Sequence, residues 1–124
     1  MAAPNIVNVA TITGKSAVVS LTTTNATAVV SNAASSGKVF KVNSLTVANV
    51  DGSVAADITV SYYSQDDIGG TAAEIVKTVS VPQDSTLVVI DKNTSLYLEE
   101  DRSLGAQASA ANDLKVFVSY EEIS

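Results

Sequence analysis

The sequence predicts an all-β chain, an antiparallel β-sandwich of about eight or nine strands, with a jelly-roll connection as one way of joining them. Three observations carry that reading. Apolar and polar residues alternate with period two in run after run, as in Leu114-Lys115-Val116-Phe117-Val118 and Ser95-Leu96-Tyr97-Leu98-Glu99, whereas helical spacing fails almost everywhere. Clusters of Gly, Asn, Asp and Ser separate these runs at the spacing usual for sandwiches and barrels. Hydrophobic residues make up 46% of the chain but aromatics only 5%, so the core must be built from Val, Ala, Ile and Leu, with Thr and Ser beside them.

At 124 residues the chain fits one domain. Residues 1–5 read as an N-terminal arm ahead of a single sandwich domain over 6–124, because their side chains are small and uncharged and Pro4 cannot donate to a ladder. Residues 6–12, rich in Ile and Val, read as a strand that Thr13-Gly14-Lys15 turns. Strands follow over 16–21 and 26–31, then a polar loop over 32–37.

The centre of the expected fold is residues 39–63. Asp51-Gly52 lies between two alternating apolar runs, a strong signal for a hairpin with a two-residue type I′ turn, in which both central residues have positive φ. Leu45 and Val47 share one face of the first strand, and Ile58, Val60 and Tyr62 one face of the second. A second sheet is the expected cover for that surface.

Residues 64–72 form the most loop-like segment, with Asp66-Asp67 and Gly69-Gly70. In the strand over 73–81, Ile75, Val79 and Val81 are expected on one face and Val76, Thr78 and Ser80 on the other, with Pro82 as the stop. Residues 86–90 are apolar on both faces and are expected to be buried on both sides or at an interface. A turn at 91–94, a strand at 95–100, a small-residue strand at 104–110, a turn at Asn112-Asp113 and a long strand over 114–123 complete the chain. Leu114, Val116, Val118 and Tyr120 of that last strand are expected to face one way.

Chemistry is scarce. With no Cys and no His, the chain has no disulfide, thiol nucleophile or imidazole base, and nearly all zinc chemistry is excluded. The acidic clusters Asp66-Asp67, Glu99-Glu100-Asp101 and Glu121-Glu122 lack the spaced pattern of a calcium loop, and neighbouring carboxylates on a strand point to opposite faces. Gly69-Gly70 and Gly14-Lys15-Ser16 do not complete a phosphate-loop pattern, and no Gly-x-Ser-x-Gly elbow occurs. Asn25 and Asn93 begin glycosylation sequons, which would matter only in a secreted eukaryotic protein and are more simply read as turn residues. No catalytic, cofactor-binding or metal-binding residue is therefore assigned. Seven Lys plus Arg against thirteen Asp plus Glu leave a charge of −6, which disfavours nucleic acid and anionic membranes as partners. No basic-then-apolar leader opens the chain and no apolar run approaches the roughly 20 residues that span a bilayer, so synthesis in a cytoplasm is expected.

One resemblance sharpens this. The order of Leu45-Thr46-Val47-Ala48-Asn49-Val50-Asp51-Gly52, Ala56-Asp57-Ile58-Thr59-Val60, Val81-Pro82, Thr86-Leu87-Val88-Val89 and Leu96-Tyr97-Leu98-Glu99-Glu100-Asp101 is the basis for it. Followed by the Ala/Ser-rich stretch to Ala110 and the closing strand, it resembles small β-sandwich virion proteins of tailed bacteriophages, cyanophages especially. The resemblance covers about two-thirds of the chain, residues 45–123. It implies a non-enzymatic virion structural protein, first of all a capsid decoration protein that binds the assembled head. The partner is then the major capsid protein or another virion protein, and the subunit is a homo-oligomer, for which a trimer is the expectation. A neck, tail or fibre-attachment protein is the second reading and a carbohydrate-binding adhesin the third. The adhesin reading predicts exposed aromatics around the 64–72 loop; the decoration reading predicts a small-residue subunit contact at positions such as Ala106 and Ala108.

Overall fold

The structure is a computed structural model that describes residues 7–124, so the arm expected at residues 1–5, and Ile6, lie outside the described residues. Nine strands form two antiparallel sheets: β1 (Ile12–Ser20), β2 (Thr27–Asn32), β3 (Val39–Asn49), β4 (Ala56–Tyr63), β5 (Ala72–Val81), β6 (Thr86–Ile90), β7 (Leu96–Leu98), β8 (Arg102–Ala108) and β9 (Leu114–Ile123). One sheet has the order β1-β9-β3-β6, with the short β7 also on β3; the other has the order β2-β8-β4-β5. The chain alternates between sheets except at the β4–β5 hairpin and at β6–β7, which together fill one edge. That path is the jelly-roll connection.

The two inner faces meet in one aliphatic core. Val42, Leu45, Val47, Val116 and Val118 of the first sheet pack against Ile58, Val60, Val81 and Leu104 of the second, all at most 2% exposed. Ala106 and Ala108, 1% and 3% exposed, lie in the same core. Their small side chains serve the approach of the two sheets, not a subunit contact, which corrects the expectation placed on them.

The expected hairpin over 39–63 does not exist. β3 pairs with β9, β6 and β7, while β4 pairs with β5 and β8, so the two strands lie in opposite sheets. Neither Asp51 nor Gly52 has the positive φ of a type I′ turn. Instead the Asp51 carboxylate accepts from Ser53 N at 2.8 Å and Val54 N at 3.2 Å, which bends the loop away from β3 and across to the other sheet. Facing each other across the core, the apolar sides of β3 and β4 bury one another; side by side they would both have needed a further cover.

The start of the chain differs as well. Thr13-Gly14-Lys15 is not a turn but part of β1, which pairs with β9 without a break from Ile12↔Ile123 to Ser20↔Lys115. Residues 7–11 are not a strand, because the ladder to β9 begins at Ile12. In β5 the register against β4 shifts on both sides of Val60 and Thr78 takes φ 47°, so Val76 joins Val79 and Val81 toward the core and Ile75 is left 39% exposed. β6 is buried on one side only: Leu87 packs inward and Val88 is 57% exposed. Tyr120 is half-buried and stacks on Phe40 with ring centroids 5.5 Å apart.

Candidate functional site

Two polar clips, which the sequence reading missed, fix how the sheets meet. Asn49, at the end of β3, donates from Nδ2 to the Val54 and Val81 carbonyls at 3.0 and 2.9 Å, and its Oδ1 accepts from Asp51 N at 2.9 Å. Asn32, at the end of β2, donates to the Lys38 and Leu98 carbonyls at 2.9 and 3.1 Å. Both are almost wholly buried, and each ties a strand of one sheet to a strand of the other. Asn32 reads in the sequence as part of a polar loop and Asn49 as part of a strand, and no pattern in the sequence sets either apart.

The 64–71 loop is strapped across β2 and β8. Asp66 N donates to Asp101 Oδ1 at 3.0 Å, Asp67 N to Ser31 Oγ at 2.8 Å and Ile68 N to Ser103 Oγ at 2.9 Å, while Ser103 Oγ donates to the Gln65 carbonyl at 2.8 Å. Beneath the strap lies Gly105. A β carbon there would stand 2.7 Å from Ile68 Cγ2 and 2.8 Å from Tyr63 Cε1, so glycine is required for the strap to close. Tyr62 and Tyr63 are half-buried at this place and do not form an exposed stacking platform.

The acidic clusters are dispersed into separate structural roles. Asp66 Oδ2 accepts from Ala34 N at 3.3 Å and Glu100 Oε2 from Gly37 N at 3.2 Å. Glu122 bridges Lys15 and Lys38 at 2.9 and 3.2 Å. The hydrogen bond from Lys15 is the main cause holding the Glu122 carboxyl below the usual range; partial burial opposes it and Lys38 adds to it. At the other end of the sandwich, the backbone N–H of Ser53 lowers Asp51, while burial and then the charge of Asp51 raise Asp113. Among the described residues no group of three His, Cys, Asp or Glu side chains is placed to hold a metal ion. The outer face of the second sheet has a shallow depression of about 280 Å³, lined by Asp57, Thr59, Glu74, Lys77, Gln107 and Ser109 among others.

The outer face of the first sheet is different. Cross-strand register places Val18 beside Phe117, Phe117 beside Thr46 and Thr46 beside Val88, one row across four strands. Val18, Phe117 and Val88 are 58%, 42% and 57% exposed, and Tyr97 stands 42% exposed further along the face. At the end of this sheet β1 pairs, among the described residues, on one side only. This face and edge are the candidate functional surface.

Among the described residues no helix is long and apolar enough to cross a membrane. No protein-family model matches the chain, and no curated protein matches it. Among solved structures it is similar to a chain from the work titled "Bacillus endospore appendages form a novel family of disulfide-linked pili", with a TM-score of 0.50 and 17% identity over 92% of this chain and 88% of that one. At that identity the likeness is one of fold.

Proposed function

We propose that the chain is a non-enzymatic structural subunit of a repeating assembly, and that the assembly is a virion: the subunit decorates the outside of a tailed-phage head. The observation that carries this reading is the exposed row Val18–Phe117–Thr46–Val88, together with the open edge of β1. Large apolar side chains gathered in one row on a sheet face, rather than scattered singly, mark a contact surface. A rigid jelly roll with a dry aliphatic core presents such a surface at little entropic cost. The net charge of −6 keeps it from the packaged genome, and the major capsid protein is the partner. A subunit that binds only the assembled shell shifts the shell toward assembly by mass action.

Co-sedimentation with heads that lack the protein tests this. Saturable binding at a fixed copy number per head is the expected result. Binding to tails or necks instead moves the subunit to that part of the virion, and binding to neither removes the virion reading.

A second reading, a filament subunit, is favoured by the likeness to a chain from a pilus. Because this chain has no Cys, a filament built from it would be joined without disulfides. Electron microscopy of the concentrated protein tests it: regular fibres support the filament, and their absence removes it.

A further inference from the structure

Three of the four sheet edges are blunted and one is not. β2 is six residues long and its register breaks between Ala28 and Val30; β5 shifts twice against β4. The edge beyond β3 is divided between a bulged five-residue strand, β6, and the three-residue β7. Short and broken edges resist the addition of a further strand. β1 has none of these features. It runs for nine residues in unbroken register, contains no proline, and its one charge, on Lys15, is held by Glu122 at 2.9 Å.

The groups that β1 offers follow from its ladder. Thr11 and Ser124 exchange two backbone hydrogen bonds, at 3.0 and 2.9 Å, and Leu21 N donates to the Leu114 carbonyl at 3.0 Å. Bonding alternates along an antiparallel pair, so the odd-numbered residues of β1 bond to β9. Ile12, Gly14, Ser16, Val18 and Ser20 therefore point their N–H and C=O groups away from β9. No strand among the described residues pairs with them.

Gly14 adds an independent observation. A β carbon at Gly14 would meet nothing within 4 Å, and its φ is not positive, so nothing among the described residues calls for glycine there. Glycine inside a strand often marks a bulge, a tight bend or the close approach of another backbone, and β1 runs without a break in its register.

We infer that β1 pairs antiparallel with β1 of a second copy about a two-fold axis at Ser16, joining the two outer-face sheets into one continuous sheet. In this register Ser16 faces Ser16 of the second copy, and Val18, 58% exposed, lies over the bare backbone of Gly14 of the second copy. Lys15 falls opposite Ala17, so no like charges meet. The contact is isologous and closes at two copies, in place of the trimer expected from the sequence. The inference rests on the reading of the chain as an assembly subunit and names a second copy as the occupant of its open edge.

The mass of the full chain in solution, measured over a range of concentrations, is expected to be twice 12.7 kDa. Ser16→Pro removes a donor that β9 does not use, at an edge position where proline is tolerated, and is expected to return the mass to 12.7 kDa with the circular dichroism unchanged. Should that variant fail to fold, Ser16→Cys supplies the chain's single thiol, and a short bis-maleimide is expected to link two copies through it, while Gln107→Cys on the other sheet stays unlinked. A monomer at every concentration, a trimer, or a dimer that survives Ser16→Pro and resists linking at Ser16→Cys would overturn the pairing. A monomer that still binds heads overturns the pairing and leaves the proposed function standing; a Ser16-linked dimer that binds no virion part does the reverse.

Discussion

Asn49 illustrates how one buried amide can set the geometry of a sandwich. Its side chain satisfies the Val54 carbonyl in the loop that leaves β3 and the buried Val81 carbonyl on β5 in the opposite layer, and truncation would take that partner from Val81 in a dry setting. Asn49→Ala is expected to cost roughly 2–3 kcal/mol, read as a fall in the urea midpoint at unchanged slope. Glu122 acts through charge. Its carboxyl is lowered by Lys15, so its contribution is present above the ordinary Glu range and is lost as pH falls through the folded value. Lys15 is raised by Glu122, so its side of the pair is present below the ordinary Lys value and is lost as pH rises through the folded one. The stability lost in Glu122→Gln is accordingly expected to be widest between about pH 5 and pH 10 and to shrink toward about pH 3, in thermal melts across that range. Asp113 has the opposite sign: burial, then Asp51, disfavours its charge. Asp113→Asn is expected to raise the melting midpoint near pH 7 and to leave it unchanged near pH 3, where the acid is neutral in both states.

Among the elements, the strap over β8 depends on the absence of a side chain at Gly105. Gly105→Ala forces Ile68 and Tyr63 apart and is expected to cost about 1–3 kcal/mol, with faster amide exchange in residues 64–71 as the local readout. Period-two alternation made most strands legible, and in β9, which runs in unbroken register against β1, it placed Leu114, Val116 and Val118 inward correctly. Where bulges intervene, alternation misleads: the shift at Thr78 moved Val76 to the core face and Ile75 to the surface. The turn signals were read by their local chemistry, which cannot tell a hairpin from a crossing between layers. Asp51-Gly52 has the residues of a hairpin, yet the Asp51 carboxylate caps backbone N–H groups ahead of it and sends the chain to the other sheet. Gly14 has the residues of a turn and lies in an edge strand, held straight by β9. The candidate surface was hidden for a related reason. Val18, Phe117, Thr46 and Val88 are far apart in sequence, and only the strand register brings them into one row.

For the molecule as a whole, the jelly roll packs its inner faces into one core and leaves one outer face with an exposed apolar row. The arm expected at residues 1–5 belongs to the same account of assembly. Deletion of residues 1–5 is expected to weaken binding to the assembly and to leave the melting midpoint of the isolated chain unchanged, measured by sedimentation and by calorimetry. The most direct test concerns Phe117, in the middle of the row. In a sedimentation assay against heads lacking the protein, wild type is expected to bind saturably and Phe117→Asp to lose that binding, while the variant's fold is kept and its stability falls by no more than about 1 kcal/mol. Undiminished binding by Phe117→Asp would contradict the assignment of this face as the working surface.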